Sequence, residues 1–390
     1  MPAPGGTANV NLNSLSPLNP CPDNLCWYSQ SSKQQAAWRN WTGAAWAPGF
    51  SPHGALVFWG GGHGGGEDVS LYAFDFTTGH WSRIGPSNPD TNYTDIAEAN
   101  AEGYDYLHEG SYIVPALHTY NYPAYVPPGL PGSGPQGQWL LPQLVGAANS
   151  GAKPHAVDLQ TGVWTRASTG AGVSGQSPYT GSIEDTRRNR VWWATIGDSQ
   201  LNMLDLNENH PRTIQTLQML PAGSLYGHGG YYARPVYVAE TDMVVSLFCY
   251  YNQTLVRGET YDMTSGRPVS MGRLTLPTFD VPTGPGFGMD WCPHTQAFYL
   301  YGGLGSERVF KLTPSSLEFH QCEWTWSEER FEGAIFHAAS SGGGAQPFSR
   351  WRYIPWLRCF AWTDGPNVSG MVADGVHRDG IVQLWRPLGT

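Results

Sequence analysis

Lysine is almost missing from this chain, standing only at positions 33, 153 and 311. Cationic charge falls to arginine, and there is little of it: 21 Lys and Arg against 31 Asp and Glu give a net charge of -10 in 390 residues. That balance repels a phosphate backbone and leaves no basic stripe, so nucleic acid is excluded as a partner. Long apolar runs are lacking too. None approaches the roughly 20 residues of a membrane span, so no membrane insertion is expected. The opening MPAPGG has neither the charged nor the apolar region of a signal peptide. The expected setting is extracellular or virion, reached as a mature secreted chain or by lysis. Cysteine is scarce at 6 and forms no Cys-x-x-Cys pair, which removes support for a zinc site. Two disulfides, Cys21 with Cys26 and Cys292 with Cys322, stay open, whereas Cys249 and Cys359 sit in apolar stretches and read as buried thiols. Helical spacing of apolar residues is absent apart from a short polar stretch at 94–103, TDIAEANAEG.

What is present is aromatic and turn-rich. Hydrophobic residues make up 40% and aromatics 13%, enough for a large core, and Gly 49 with Pro 31 favours many short strands joined by tight turns. Residues 58–84, FWGGGHGGGEDVSLYAFDFTTGHWSRI, show the pattern. Their glycine tract lacks the Gly-Lys-Ser/Thr of a phosphate loop and runs straight into a strand. The end of the segment recurs: YAFDFTTGHW at 72–81, HAVDLQTGVW at 155–164, then more loosely NMLDLNENHP at 202–211, ETYDMTSGRP at 259–268 and RVFKLTPSSL at 308–317. The central positions are Asp75, Asp158, Asp205, Asp262 and Lys311, which gives a repeat near 50 residues with the first interval stretched by an insertion.

Two preceding strands repeat as well. SPHGALVFWGGG at 51–62, CPHTQAFYLYGG at 292–303 and IPWLRCFAWTDG at 354–365 share a Pro-led turn, an aromatic alternating strand and a glycine exit, and PAYVP at 123–127 and PVYVA at 235–239 mark the same place in two other units. Each unit reads as a four-stranded antiparallel sheet that cannot bury both faces alone, and radial stacking of such sheets solves that problem. With its strand-Gly-Gly exits, D-x-x-T-G-x-W turns and the unit opening HTYNYPAYVP at 118–127, the sequence resembles a Kelch-type β-propeller of the galactose-oxidase central-domain kind, in a bacterial or phage branch. The resemblance covers about residues 41–387. It implies an all-β single propeller of six blades, with seven as the runner-up. A Pro/Asn-rich tail is expected over 1–35 and the propeller over 36–390, with a long inserted loop at 86–117. The last unit shows three strands, and residues 36–43, AAWRNWTG, are expected to supply the fourth.

The same scheme gathers polar groups on the face that carries the strand-two-to-three and blade-to-blade connections. The candidate ligand-binding residues are His63, Glu67, His108, Glu109, His118, His228 and Arg350; the candidates for catalysis are His118, His228, Tyr120, Tyr231 and Arg350. Against this, His118 also reads as a blade-positioning residue, His63 as solvent-exposed, and Trp81 and Trp164 as blade core. No cofactor is expected. The acidic insertion with Asp90, Asp95, Glu98, Glu102, Asp105 and Glu109 is the one Ca²⁺ candidate and reads first as solvated surface. No Tyr-His dipeptide exists, which disfavours a copper-radical oxidase. The favoured function is a non-catalytic recognition or structural propeller with a glycan or protein partner, on a virion or cell envelope, assembling through the N-terminal tail. The alternative is a polysaccharide lyase or hydrolase using His, Tyr and Arg on one face.

Overall fold

The computed structural model describes residues 1–18, 42–59, 70–85, 106–108, 111–113, 119, 121–142, 154–169, 181–195, 200–219, 234–249, 256–264, 267–275, 286–302, 307–332, 347–363, 365 and 369–390. Short aromatic and β-branched runs form antiparallel ladders, because alternate residues can pack against neighbouring sheets on either face. The first blade pairs Ala44–Ala47, Ala55–Phe58, Leu71–Asp75 and His80–Ile84 in that order. The pattern recurs in the second blade (Ala124–Val126 to Trp164–Arg166), the third (Ser182–Asp185 to Gln215–Met219) and the fourth (Arg234–Val238 to Arg267–Val269). A fifth blade runs from Gly288–Cys292 to Glu323–Arg330, with Arg273–Leu274 added in parallel at its outer edge. The sixth holds Arg352–Ile354, Cys359–Thr363 and Val382–Trp385. First strands of successive blades contact one another around the ring, and the 3-10 turn Phe348–Arg350 meets the first blade to complete it. The chain is therefore an all-β propeller of six four-stranded blades.

The repeated aspartates have a common task. Each ends a third strand and accepts backbone N–H groups of the following turn: Asp75 from Thr77 at 2.8 Å, Asp158 from Gln160 at 3.0 Å, Asp205 from Asn207 at 3.0 Å and Asp262 from Thr264 at 2.9 Å. In the first two blades the turn closes through a left-handed glycine, Gly79 at φ 69° and Gly162 at φ 72°. A Cβ on Gly162 would stand 2.1 Å from the Gly85 backbone, so glycine is required there on space as well. Lys311 departs because its strand, Arg308–Pro314, runs past it; the ammonium instead lies 3.6 Å from Glu329.

Closure comes from a segment other than the expected one. The fourth strand of the sixth blade is Thr7–Asn9, paired with Trp385, Leu384 and Gln383. Residues 36–41 of the expected segment lie outside the described residues, and 42–43 are not in a strand. A further correction concerns Cys292 and Cys322, which are free and buried. Cys292 packs with Tyr299 and Trp351, whereas Cys322 packs with Phe298 and Trp324 and points its thiol at the Phe319 carbonyl, so the two face different sides of the fifth blade. Cys359 is also a buried free thiol, and Trp81 and Trp164 are core at 2% and 1% exposure, as expected. Cys21 and Cys26 fall outside the described residues.

Candidate functional site

In the first five blades the first-to-second and third-to-fourth turns emerge on one face of the ring, joined by the first-to-second turn of the sixth, and the opposite strand ends lie on the other face. The sequence reading put its site on the second of these faces. Of those residues, His63, Glu67, Glu109, His118, Tyr120, His228 and Tyr231 lie outside the described residues, as do the six acidic residues of the insertion. His108 is described as backbone in a small hairpin, opposite Ser111. Arg350 is 1% exposed, and its guanidinium donates to the Pro347 carbonyl at 3.4 Å and the Thr363 carbonyl at 3.2 Å, tying the entry of the sixth blade to its second strand.

The described chemistry gathers on the first face, around the ring axis. Inner strands are stopped early there: Pro48, Pro127, Pro293 and Pro355 each follow the last residue of one, and a residue without an N–H cannot continue the ladder. The strand ends surround a cavity of about 240 Å³. Trp46 comes to its wall from the first blade, Glu184 from the third, Arg234 and Tyr237 from the fourth, Asp290 and Trp291 from the fifth, and Arg352 and Tyr353 from the sixth.

Each charged group also stitches one blade to the next. Glu184 accepts the Tyr125 N–H of the second blade at 2.7 Å, and Asp290 accepts the Tyr353 N–H of the sixth at 2.9 Å while taking its neighbour Trp291 N–H at 3.0 Å. Arg234 donates to the Met289 carbonyl of the fifth blade at 3.2 Å. Arg352 donates to the Ser349 carbonyl at 3.0 Å and the Ala44 carbonyl of the first blade at 3.4 Å, and stands 3.9 Å from Glu184. These backbone bonds fix the side chains in place before any ligand arrives.

Burial pushes the Glu184 carboxyl above the usual carboxylate range; Arg352, the Tyr125 N–H and Arg234 pull it back, and Asp290 adds to the rise. Burial likewise raises the phenols of Tyr237 and Tyr353 well beyond the ordinary tyrosine value. Tyr237 donates to Asp242 at 2.9 Å, and Tyr353 is hydrogen-bonded to His294 at 2.7 Å. At neutral pH both phenols stay protonated. With its one hydroxyl proton given to Asp242, Tyr237 offers a guest its ring. A second cavity of about 100 Å³ adjoins the first between the second and third blades and shares Trp46, Glu184 and Thr186 with it. Among the described residues no group of three His, Cys, Asp or Glu side chains is placed to hold a metal ion.

Sequence reasoning missed this site because no linear motif encodes it. One signal was available: an acid at the third position of an otherwise buried strand, in SIED and GMDW, and an arginine at the head of the inner strands RPVYV and RYI.

No protein-family model matches the chain, and no curated protein matches it. Among solved structures it is similar to a chain of the nidogen/laminin complex, with 14% identity and a TM-score of 0.39 over 73% of this chain and 89% of that one. It is similar to TolB from Acinetobacter baumannii, with 13% identity and a TM-score of 0.36 over 75% of this chain and 58% of that one. A chain of the mitotic checkpoint complex gives 10% identity and a TM-score of 0.39 over 90% of this chain and 87% of that one. The propeller architecture rests on the six ringed sheets themselves.

Proposed function

We propose that the protein is a non-catalytic recognition propeller that binds a sugar residue of a surface glycan at the axial cavity, in the setting of a virion or cell envelope. The observation that carries this reading is the wall itself: Trp46, Trp291 and two tyrosines stand among two arginines, the scaffold-held carboxylates of Glu184 and Asp290, and the exposed Glu240. Flat aromatic rings meet the apolar faces of a sugar, and fixed carboxylates and guanidinium groups meet its hydroxyls. At about 240 Å³ the cavity is below the ~300 Å³ where drug-sized pockets begin. One ring fits, and a longer chain continues outside.

A glycan array followed by calorimetry on the best hit tests the proposal. Trp46→Ala is expected to abolish binding while the melting temperature stays within a few degrees. Binding that survives Trp46→Ala at full strength would refute the axial site. Release of unsaturated uronate from an acidic polysaccharide, lost in both His118→Ala and His228→Ala, would instead establish the lyase alternative.

A further inference from the structure

Resting on that reading, we infer that the sugar carries an acyl substituent, such as an N- or O-acetyl group, which enters the second cavity between the second and third blades. The two cavities are continuous in wall: Trp46, Glu184 and Thr186 line both. Their chemistry differs. The axial cavity presents arginines and carboxylates, whereas the inter-blade pocket presents Trp46, Pro48, Tyr125, Pro127, Val191 and Leu206.

Polar residues also border that pocket, but their charges are engaged elsewhere. Asp185 takes Arg188 at 3.1 Å, Arg190 pairs with Asp205 at 3.3 Å, and Glu184 takes the Tyr125 N–H at 2.7 Å. The Tyr125 hydroxyl donates to the Gln136 carbonyl at 3.0 Å. What these groups leave for a guest is mainly apolar surface. At about 100 Å³ the space suits a methyl-bearing acyl group and not a second sugar ring, which would also leave its hydroxyls unpaired against apolar wall. A ligand filling both cavities is therefore polar in its ring and apolar in one short arm. Acylated sugars have that chemistry.

The test is calorimetric titration of the whole protein with four probes: glucose, N-acetylglucosamine, galactose and N-acetylgalactosamine. The acetylated member of at least one pair is expected to bind on the order of ten-fold tighter than its parent, the selectivity that a small apolar group gains in a fitted pocket. Leu206→Phe, which fills the pocket from its floor, should bring the acetylated sugar to the affinity of its parent. Leu206 is a core residue at 2% exposure, so Pro48→Trp, at an exposed position on the rim, gives a second variant that does not touch the core. Equal affinities within each pair, or a preference that survives both substitutions, would overturn the acyl assignment and leave the sugar site standing. Failure of all four probes and of their acylated oligomers to bind would overturn the sugar site itself.

Discussion

Two seams of the ring face the same task with different chemistry. Between the third and fourth blades the chain is continuous, and the seam is held by charge. Arg188 bridges the buried Asp185 at 3.1 Å and Asp242 at 2.8 Å, and Tyr237 adds a bond to Asp242 at 2.9 Å. Behind this network Ile183, Trp192 and Met203 pack against Val244, Tyr261 and Met263. Between the sixth and first blades residues 1–18 lace the seam with backbone, amide and hydroxyl groups, and there the Asp379 carboxylate takes the Leu15 N–H at 2.7 Å and the Ser16 hydroxyl in place of an arginine. Asn9 donates to the Met371 carbonyl at 2.8 Å, Asn11 to the Asp379 carbonyl at 3.1 Å, and Leu12 N–H to the Gly79 carbonyl at 2.6 Å. Asn13 takes the Trp81 N–H at 2.7 Å and returns a bond to its carbonyl at 2.9 Å, mimicking a strand partner with a side-chain amide. The lesson is that a seam within the chain can be closed by a few side chains, whereas the seam at its ends needs backbone pairing over a longer stretch.

The largest expected effect comes from removing residues 1–18. The sixth blade then loses its outer strand and leaves the edge of Val382–Trp385 unpaired, and the first loses the cover of Leu15 over Trp81. Calorimetry should show a fall in melting temperature on the order of 10 °C, or the protein should aggregate. An unchanged, monomeric melt would break the comparison. Arg188→Ala comes next. It strands the Asp185 carboxylate, whose side chain is fully buried, and should cost about 2–3 kcal/mol in denaturant unfolding.

The arginine-held seam should also respond to acid. The Arg188 bond holds the Asp242 carboxyl below its ordinary range. A depressed carboxylate stabilises the fold above its unfolded value, and that contribution disappears as pH falls through the folded one. The wild type should therefore lose stability below about pH 4, while Asp242→Asn, weaker at neutral pH, should lose less over that window. Parallel melting curves for the two proteins from pH 6 to pH 3 would count against the network. The smallest effect is expected at Glu184. Its folded carboxyl is raised, so the wild type loses stability as pH climbs from the unfolded value to the folded one. Glu184→Gln keeps an acceptor for Tyr125 and should gain on the wild type by less than ~1 kcal/mol between pH 4 and pH 7.

The difference between the seams also explains what the sequence discloses. Blades were legible because strands such as AFYLY and LYAFD, buried on both faces, must be apolar at nearly every position, and because each Asp-led turn repeats its capping bond. The closing strand, Thr-Ala-Asn, carries no such pattern: its pairing is backbone to backbone, and its buried side chain is an asparagine. The aromatic composition of 36–43 resembles that of a blade strand more than Thr-Ala-Asn does. The axial site was illegible for a related reason. Trp46, Glu184, Arg234, Asp290 and Arg352 come from five blades, one or two residues apiece, so their spacing follows the blade repeat and not any local motif.

The lacing of the sixth blade sets an order of events on the ribosome. Thr7–Asn9 is made before any of the six blades' other strands, yet its partner, Gln383, lies 374 residues downstream of Asn9. Five blades can stack one by one as they appear, since each is complete within its own stretch of sequence. The sixth cannot be finished until Val382–Trp385 has been translated, and until then the earlier-made Thr7–Asn9 waits for its partner. The polar, asparagine-rich character of residues 7–13, TANVNLN, suits that wait: a segment that binds by hydrogen bonds and little apolar surface can stay solvated through synthesis without templating aggregation.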